Sequence, residues 1–596
     1  MKELNFPFDG KDIVRRRLAL RKQLLSDGTV RIKKRVAVLG GSTTNHILSV
    51  LELFLLNFGI EPEFYQSEYN KFYEDAVFGN PELDCFNPDV IYIHTTSRNI
   101  TMLPEGPSET VEQVEKRLNE QFFLFQQVWE SLTKRFNCPI IQNNFELPLF
   151  RHTGSYDSWS VSGHTAFIER LNIMLSDYAR ANHGLYIHDI NYLSAVCGLA
   201  NWHDAEEWYL YKYAMSTSVI PDLAYSLACI IKSLYGKNHK VIDLDLDNTL
   251  WGGVIGDDGQ EGIEIGPETA EGQSFSEFQS FLKGYKDYGV LLAVCSKNEE
   301  KNAILGLEHP SGILRPSDFV SIKANWEPKD RNIVESSQEL GLGLDSLVFI
   351  DDNPAECAII EGQLPMVQTV ILNNVHDVMY KLTRSGYFEV TSVSDDDMHR
   401  SEMYAANVQR AAQCKSFESY EDYLASLEMS AVICGFKSIY IQRITQLTNK
   451  SNQFNLTTRR YNENEILEVS VSQNHICLCG RLLDKFGDNG IVSVLIGRIN
   501  GNALDMELWL MSCRVLKRNM EIAMLDELVK KAKLAGITRI NGYYYKTQKN
   551  SMVAEFYGSM GFKLDKKLEN DDSIWHLDIR GYENKNKVIK ILEKEN

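Results

Sequence analysis

What this 596-residue chain lacks narrows its class before any motif is read. Its eleven cysteines, an odd number, form no Cys-x-x-Cys pair and no His/Cys cluster, so reduced thiols are expected rather than a zinc site. The opening stretch "MKELNFPFDGKDIVRRRLALRKQLL" is basic but has no apolar core of signal-peptide type. The most apolar early run, "ILSVLELFLLNFGI", is too short to span a bilayer and carries Glu52, so a packed helix is expected. Basic residues are in deficit, 62 Lys and Arg against 81 Asp and Glu, for a formal charge of -19. That balance argues against a nucleic-acid partner and against an anionic membrane surface. There is no internal repeat and no low-complexity segment. These absences together predict a cytoplasmic protein.

What is present reads as an ordinary globular α/β protein, with 44% hydrophobic and 24% charged residues and length enough for three domains. In residues 1–236, "RVAVLGG", "DVIYIHTT", "CPIIQNN" and "GLYIHDI" read as strands. They alternate with helical stretches such as "TVEQVEKRLNEQFFLFQQVWESLTKRF", which predicts a doubly wound parallel sheet. A second β-α region, 237–395, runs from "KVIDLDLDNT" through "GVLLAVCSKN", "SLVFIDDNP" and "MVQTVILN". The range 396–596 opens with a helix, "MHRSEMYAANVQRAAQ". It continues as an α+β mixture with strands "HICLCGRLLD", "GIVSVLIGRI" and "DMELWLMSC" and the helix "NMEIAMLDELVKKAKLAG". The lysine-rich tail from Asn584 is expected to be a frayed helix or solvated end.

The chemistry concentrates in "DLDLDNTLWGG", where Asp243, Asp245 and Asp247 alternate after an apolar strand. Ionised carboxylates cannot be buried without partners, so a cation is expected beside them. Taking Asp243 and Asp245 as the working pair puts Asp247 at the hydroxyl position four residues after the first; taking Asp245 and Asp247 puts Thr249 there, as a phosphate-binding hydroxyl. A carboxylate nucleophile at Asp245 can form an aspartyl phosphate. A second carboxylate two residues on can protonate the leaving oxygen and then deprotonate water. Further parts follow in order at strand ends: Ser296 and Lys329 as phosphate holders, and Asp351 and Asp352 as hard ligands for Mg²⁺ beside Asp245 and Asp247. Asp243 is left for a local lysine or solvent.

The Asp-x-Asp-x-Thr run and its downstream partners resemble the haloacid-dehalogenase phosphatases. "DLDNTLWGGVIGDDG", "SKN", the Trp-x-x-Lys of "NWEPKD" and "FIDDNPAE", continued by "NKSNQFNLTTRR", "DKFGDNG", "MSCRVLKR" and "FYGSMGF", resemble more closely the FkbH-like branch over the last three-fifths of the chain. That resemblance implies removal of phosphate from 1,3-bisphosphoglycerate and loading of the glyceryl group on an acyl-carrier protein as a thioester. The spacings between Asp247, Ser296 and Lys329 leave no room for a large cap, only a short flap. A thioester invites a thiol, and Cys295 directly precedes Ser296. It is a candidate to hold the glyceryl group, set against its reading as a small buried strand residue.

The C-terminal range resembles the GNAT acyltransferase fold, but Lys517 and Asn519 stand where that fold's Arg-x-x-Gly-x-Gly loop, beginning here at Arg514, has glycines. Arg459, Arg460, Arg514, Lys517 and Arg518 are candidate contacts for a carrier's phosphopantetheine. The alternative for Arg459 and Arg460 is a solvated turn. The N-terminal range resembles a degenerate SGNH-hydrolase fold, with Ser42 at a strand-to-helix turn and Asn99 after a later strand. The closing Asp-x-x-His is absent: Asp204 is followed by Glu207 at the histidine position. Without a base the serine is weakly nucleophilic, so Ser42 as a helix N-cap in an inactive domain is the favoured reading. His46, His94, His152, His164 and His188 stay open as partners. Two other readings of the whole chain stand beside carrier loading: a plain phosphatase of a sugar or nucleotide intermediate, and a non-catalytic carrier-binding scaffold.

Overall fold

The structure is a computed structural model that describes residues 1–592 apart from 415, 452 and 548. Three sheets fall one in each of the expected ranges, yet the chain packs as two compact units. One comprises Met1–Leu234 with Arg384–Thr391, the other Tyr235–Thr383 with Ser392–Asn596.

In the first unit, β1 (Ile32–Gly40), β2 (Ile60–Gln66), β3 (Val90–His94), β4 (Ile140–Asn143) and β5 (Leu185–His188) form a parallel sheet in the order β2-β1-β3-β4-β5. The central strands are buried on both faces, as a sheet covered by helices requires. The helix Val111–Arg135 starts at a capping box between Thr110 and Gln113 and lays Val114, Leu118, Phe125, Val128, Trp129 and Leu132 against the sheet. The window Thr217–Leu234 is apolar enough to cross a membrane by composition, but 72% of it is buried within the protein. Its polar groups explain why Arg384–Thr391 joins this unit instead of the central domain. Tyr225 donates to the Ser385 carbonyl at 2.7 Å, Lys232 to that of Gly386 at 2.7 Å and the Ser233 hydroxyl to that of Glu389 at 2.9 Å.

Glu146, fully buried just after β4, accepts hydrogen bonds from the Ser97 amide at 3.2 Å and hydroxyl at 2.7 Å. Burial pushes its carboxyl up from 4.5 to about 7. The folded chain therefore holds this proton more tightly than the unfolded one, and stability falls as pH rises through that window. Glu146→Gln is expected to stabilise the unit by on the order of 3 kcal/mol at pH 8 and hardly at all at pH 4. Thermal melting at the two pH values checks this; equal shifts at both would contradict it.

In the second unit, β6 (Val241–Leu244), β7 (Leu291–Ser296), β8 (Phe319–Ala324), β9 (Leu347–Asp351) and β10 (Gln368–Ile371) make a five-stranded parallel sheet, β10-β9-β6-β7-β8. The third sheet contains β11 (Ser430–Cys434), β12 (His475–Asp484), β13 (Gly487–Asn500), β14 (Ala503–Met511), β15 (Arg539–Tyr544), β16 (Lys563–Lys567), β17 (Ser573–Asp578) and β18 (Lys590–Ile591). Its order is β16-β17-β15-β14-β13-β12-β11-β18. It is antiparallel except for the β14–β15 and β11–β18 pairs, and packs on the helix Met520–Leu534.

Two C-terminal expectations are corrected. As far as residue 592 the tail is not a frayed helix, although its lysines stay in solvent: Asp526 accepts from the backbone amides of Lys585 and Asn586, Ile589 is buried, and β18 pairs in parallel with β11. The "FNL" stretch, Phe454 to Leu456, is not a solvated turn either. β14 and β15 pair only over Ala503–Asp505 and Arg539–Asn541 before diverging. The chain's own residues fill the gap: Leu456 donates to Trp509 at 3.1 Å, Met511 to Phe454 at 3.0 Å and Tyr545 to Leu456 at 2.9 Å, all backbone to backbone. The Asn550 amide holds the insert through the Asn455 carbonyl at 3.0 Å. Any ligand laid between these strands would have to displace residues 454–456.

Candidate active site

The carboxylate run sits where β6 ends. The strand stops at Leu244, so Asp245 and Asp247 lie in the turn beyond it, and Asn248 takes a left-handed conformation at φ 53°. Asn tolerates that region better than most residues, and its side chain accepts from the Gly253 amide at 3.0 Å to close the turn. β6, β7 and β9 are neighbours in the parallel sheet, so Asp245, Ser296 and Asp351 all stand at its carboxyl edge.

Asp245, Asp351 and Asp352 each place an oxygen within 4.8 Å of the others. Lys329, at the start of the helix Lys329–Leu340, donates to Asp351 at 2.6 Å and reaches Asp245 at 3.1 Å. Burial alone would lower the Lys329 ammonium, but the Asp245 and Asp351 carboxylates outweigh it and hold the group above its usual range. Burial, then the charges of Asp245 and Asp351, push Asp352 up to about 6. Asp351 rises for the same two reasons, burial first and then Asp245. One lysine therefore does not neutralise the three carboxylates. Asp245 Oδ1 is also buried without a hydrogen-bond partner.

Several expected residues take other places. Asp247 lies outside the carboxylate cluster and is held by other donors. Oδ1 accepts from Trp251 Nε1 at 2.9 Å and the Ile255 amide at 3.0 Å, and Oδ2 accepts from Asn298 at 2.9 Å. Thr249 is fully buried in the turn, and its hydroxyl has no hydrogen-bond partner. Asp243 meets neither lysine nor solvent: it is fully buried, both oxygens lack partners, and burial pushes its carboxyl up to about 7. Cys295 points into the core beneath the Lys329 carbonyl, 3.6 Å away, and burial raises its thiol well above the ordinary value. A sulfur so placed cannot carry an acyl group without the strand moving.

No large cap stands over the cluster among the described residues. The Gly252–Glu264 bridge closes a short flap that contains the helix Ile255–Gly262. Gln279 pins the turn to the neighbouring loop, donating to Leu250 at 2.8 Å and accepting from Ile313 at 2.9 Å and Leu314 at 3.0 Å. Sequence reasoning missed Trp251, Asn298 and Gln279, although "LWGG" and "SKN" contain the first two.

Most of the candidate carrier contacts turn inward. Arg460 donates to the Thr448 and Ser451 carbonyls at 2.5 and 3.1 Å, closing the helix Ile441–Lys450. Arg514 pairs with Asp396 at 3.8 Å, and Arg518 with Asp484 at 3.2 Å and Asn407 at 3.0 Å. Arg459 pairs with Glu507 at 2.9 Å and keeps part of its side chain in solvent, while Lys517 is exposed. Lys517 and Asn519 keep φ near 63° and 64°, the backbone state glycine would adopt more easily.

In the first unit, Ser42 is buried with its hydroxyl unpartnered, so no base is bonded to it, and Thr44, not Ser42, takes the N-cap position of the helix Asn45–Asn57. Asn99 donates to the Gly41 carbonyl at 2.9 Å, and the close approach leaves no space for a side chain at Gly41. Asp204 caps the helix Ala205–Tyr211, and Glu207 accepts from Thr217. His94 and His188 are buried in a network with Tyr92 and Asn143, and burial lowers them to about 4 and 3.

Residues 35–232 match the family model described as FkbH, N-terminal domain. No curated protein matches the chain. Among solved structures, the chain resembles the N-terminal part of the protein BF1531 from Bacteroides fragilis, described as containing a phosphatase domain and complexed with Mg. The two are 27% identical with a TM-score of 0.58, over 63% of this chain and 99% of that one. It also resembles the ribosomal-protein-S18-alanine N-acetyltransferase of Escherichia coli (10% identity, 26% of this chain, 99% of that one, TM-score 0.21). The PaiA N-acetyltransferase of Thermoplasma acidophilum, in complex with coenzyme A, is similar at 16% identity over 25% of this chain and 99% of that one, TM-score 0.21. The last two likenesses carry no argument about activity. The central domain has a haloacid-dehalogenase-like core.

Proposed function

We propose that the central domain is a Mg²⁺-dependent phosphatase that takes a phosphorylated small molecule through a phosphoryl-Asp245 intermediate. The observation that carries this reading is the carboxylate trio with a single buried lysine and an orphaned Asp245 oxygen. Three hard oxygen donors with excess negative charge suit Mg²⁺, and the Mg-bound phosphatase domain of the Bacteroides protein supports the choice. Asp245, Asp351 and Asp352 would hold the ion. When bound, it supplies positive charge to the carboxylates and to the phosphoryl oxygens.

The chain's own residues do the rest. Asp245 attacks phosphorus while Lys329, 3.1 Å away, holds its carboxylate in place. Asp247, held apart from the cation cluster, gives a proton to the departing oxygen and later takes one from the attacking water. The short flap leaves the site open to a bulky substrate.

The finer reading, transfer of a glyceryl group from 1,3-bisphosphoglycerate to an acyl-carrier thiol, is supported by the FkbH N-terminal match. With Cys295 buried, the carrier thiol would attack the acyl carbon directly, forming the thioester as the 1-phosphate leaves, and Asp245 would take the remaining 3-phosphoryl group to leave a glyceryl thioester. Phosphate release from p-nitrophenyl phosphate and from an acyl phosphate, with Mg²⁺ or with EDTA, tests the main reading, which expects EDTA to abolish turnover. EDTA-resistant release would contradict it. Adding a phosphopantetheinylated carrier and measuring its intact mass tests the finer one.

A further inference from the structure

Asp247 is held by three donors from three places in the chain, and their distribution over its two oxygens is unequal. A carboxylate oxygen accepts at two lone pairs. On Oδ1 both are taken, by the Trp251 indole N–H at 2.9 Å and the Ile255 amide at 3.0 Å. On Oδ2 only one is taken, by the Asn298 amide at 2.9 Å. The Asn298 side chain cannot flip, because its own Oδ1 accepts from the Glu299 amide at 3.0 Å.

The Trp251 ring is fixed as firmly. It is fully buried, and Gly306 is cut away beneath it: a Cβ there would come within 2.6 Å of the indole. Gly306 is needed here for close approach, since its backbone does not take a left-handed conformation. The helix Glu300–Leu307, the flap and the turn after β6 therefore share one side chain.

We propose that Trp251 and Asn298 are positioning residues that present Asp247 with a single usable lone pair, on Oδ2, so that proton transfer runs through that atom alone. This rests on the phosphatase reading. As Asp245 forms its bond to phosphorus and the bond to the leaving oxygen breaks, that oxygen keeps the electron pair and takes the Oδ2 proton. In the second half, Oδ2 takes a proton from water as the water oxygen bonds to phosphorus and the Asp245–phosphorus bond breaks.

General-acid help matters most when the leaving oxygen is strongly basic, which gives a readout that a merely structural role would not move. Trp251→Phe keeps an aromatic side chain but loses the indole N–H donor, and Asn298→Ala controls for the volume lost with it. In the full-length protein with Mg²⁺, its kcat loss on an alkyl phosphate is expected to exceed its loss on p-nitrophenyl phosphate by about tenfold or more, with KM little changed. Asn298→Ala should show the same asymmetry. Equal losses on both substrates would overturn the proposal. If the wild type turns over neither ester, the phosphatase reading fails by itself, and the clamp is decided without activity. The indole ¹H–¹⁵N resonance that disappears in Trp251→Phe should move upfield when Asp247 is replaced by alanine. An unmoved resonance would overturn the clamp.

Discussion

Asp245→Asn is expected to lower phosphate release by on the order of 10⁴-fold or more, because the amide cannot form the phosphoryl intermediate. The substitution removes little else. Asp245 Oδ2 meets Lys329 at 3.1 Å, and Lys329 keeps its shorter 2.6 Å contact with Asp351. The amide also removes one of three crowded negative charges, so the folded state should persist, with an unchanged far-UV spectrum and cooperative melting. Phosphate release measured beside melting separates lost chemistry from lost fold. Residual turnover within tenfold of wild type would mean that another group attacks phosphorus.

Lys329→Met should be damaging in both respects. The lysine side chain is 3% exposed, Asp351 0% and Asp245 11%, so the substitution leaves two buried carboxylates facing each other without a cation. Breaking a buried pair by removing one partner destabilises by about 3–5 kcal/mol, since the remaining charge stays desolvated. Losing a fixed positive charge at the phosphoryl site should cost about 10²–10³ in kcat. Added Mg²⁺ should restore part of the melting temperature but little of the turnover, because the ion can balance the carboxylates without replacing the ammonium at its own position. A variant as stable and as active as wild type would remove Lys329 from the site.

The site's charged parts were legible because each lies at the end of an apolar run. "KVIDLDLDNT", "LLAVCSKN" and "LVFIDDNP" announce both the strand and the residue delivered at its carboxyl end. Their partners are separated by 22 to 106 positions but converge through a parallel sheet that the β-α alternation already implied. Asp243 was misjudged because sequence gives the strand but not how deep its residues lie. Trp251 and Asn298 were not foreseen because an indole or amide donor to a carboxylate has no fixed spacing: one is 4 residues from Asp247 and the other 51.

Charge was the poorest guide. The basic residues around the third sheet suggested a phosphate-binding face. Yet Arg518 finds Asp484 34 positions away and Arg410 finds the same carboxylate across 74, both inside the protein. Composition counts cations without saying which acid each will meet. The insertion of residues 454–456 between β14 and β15 was hidden for a related reason: its contacts are backbone hydrogen bonds, which any sequence can make. Edge strand β2 escaped notice too, because two glutamates and a proline blur its apolar run.

The most direct test of the central claim is to mix the protein with Mg²⁺ and a phosphorylated substrate, quench in acid during the first turnover, and map the phosphoryl group by peptide mass spectrometry. The account predicts a transient phosphoryl group on Asp245, absent from Asp245→Asn and absent when EDTA replaces Mg²⁺. Phosphate release that proceeds at the wild-type rate in Asp245→Asn, with no adduct on Asp245 at any time, would contradict it.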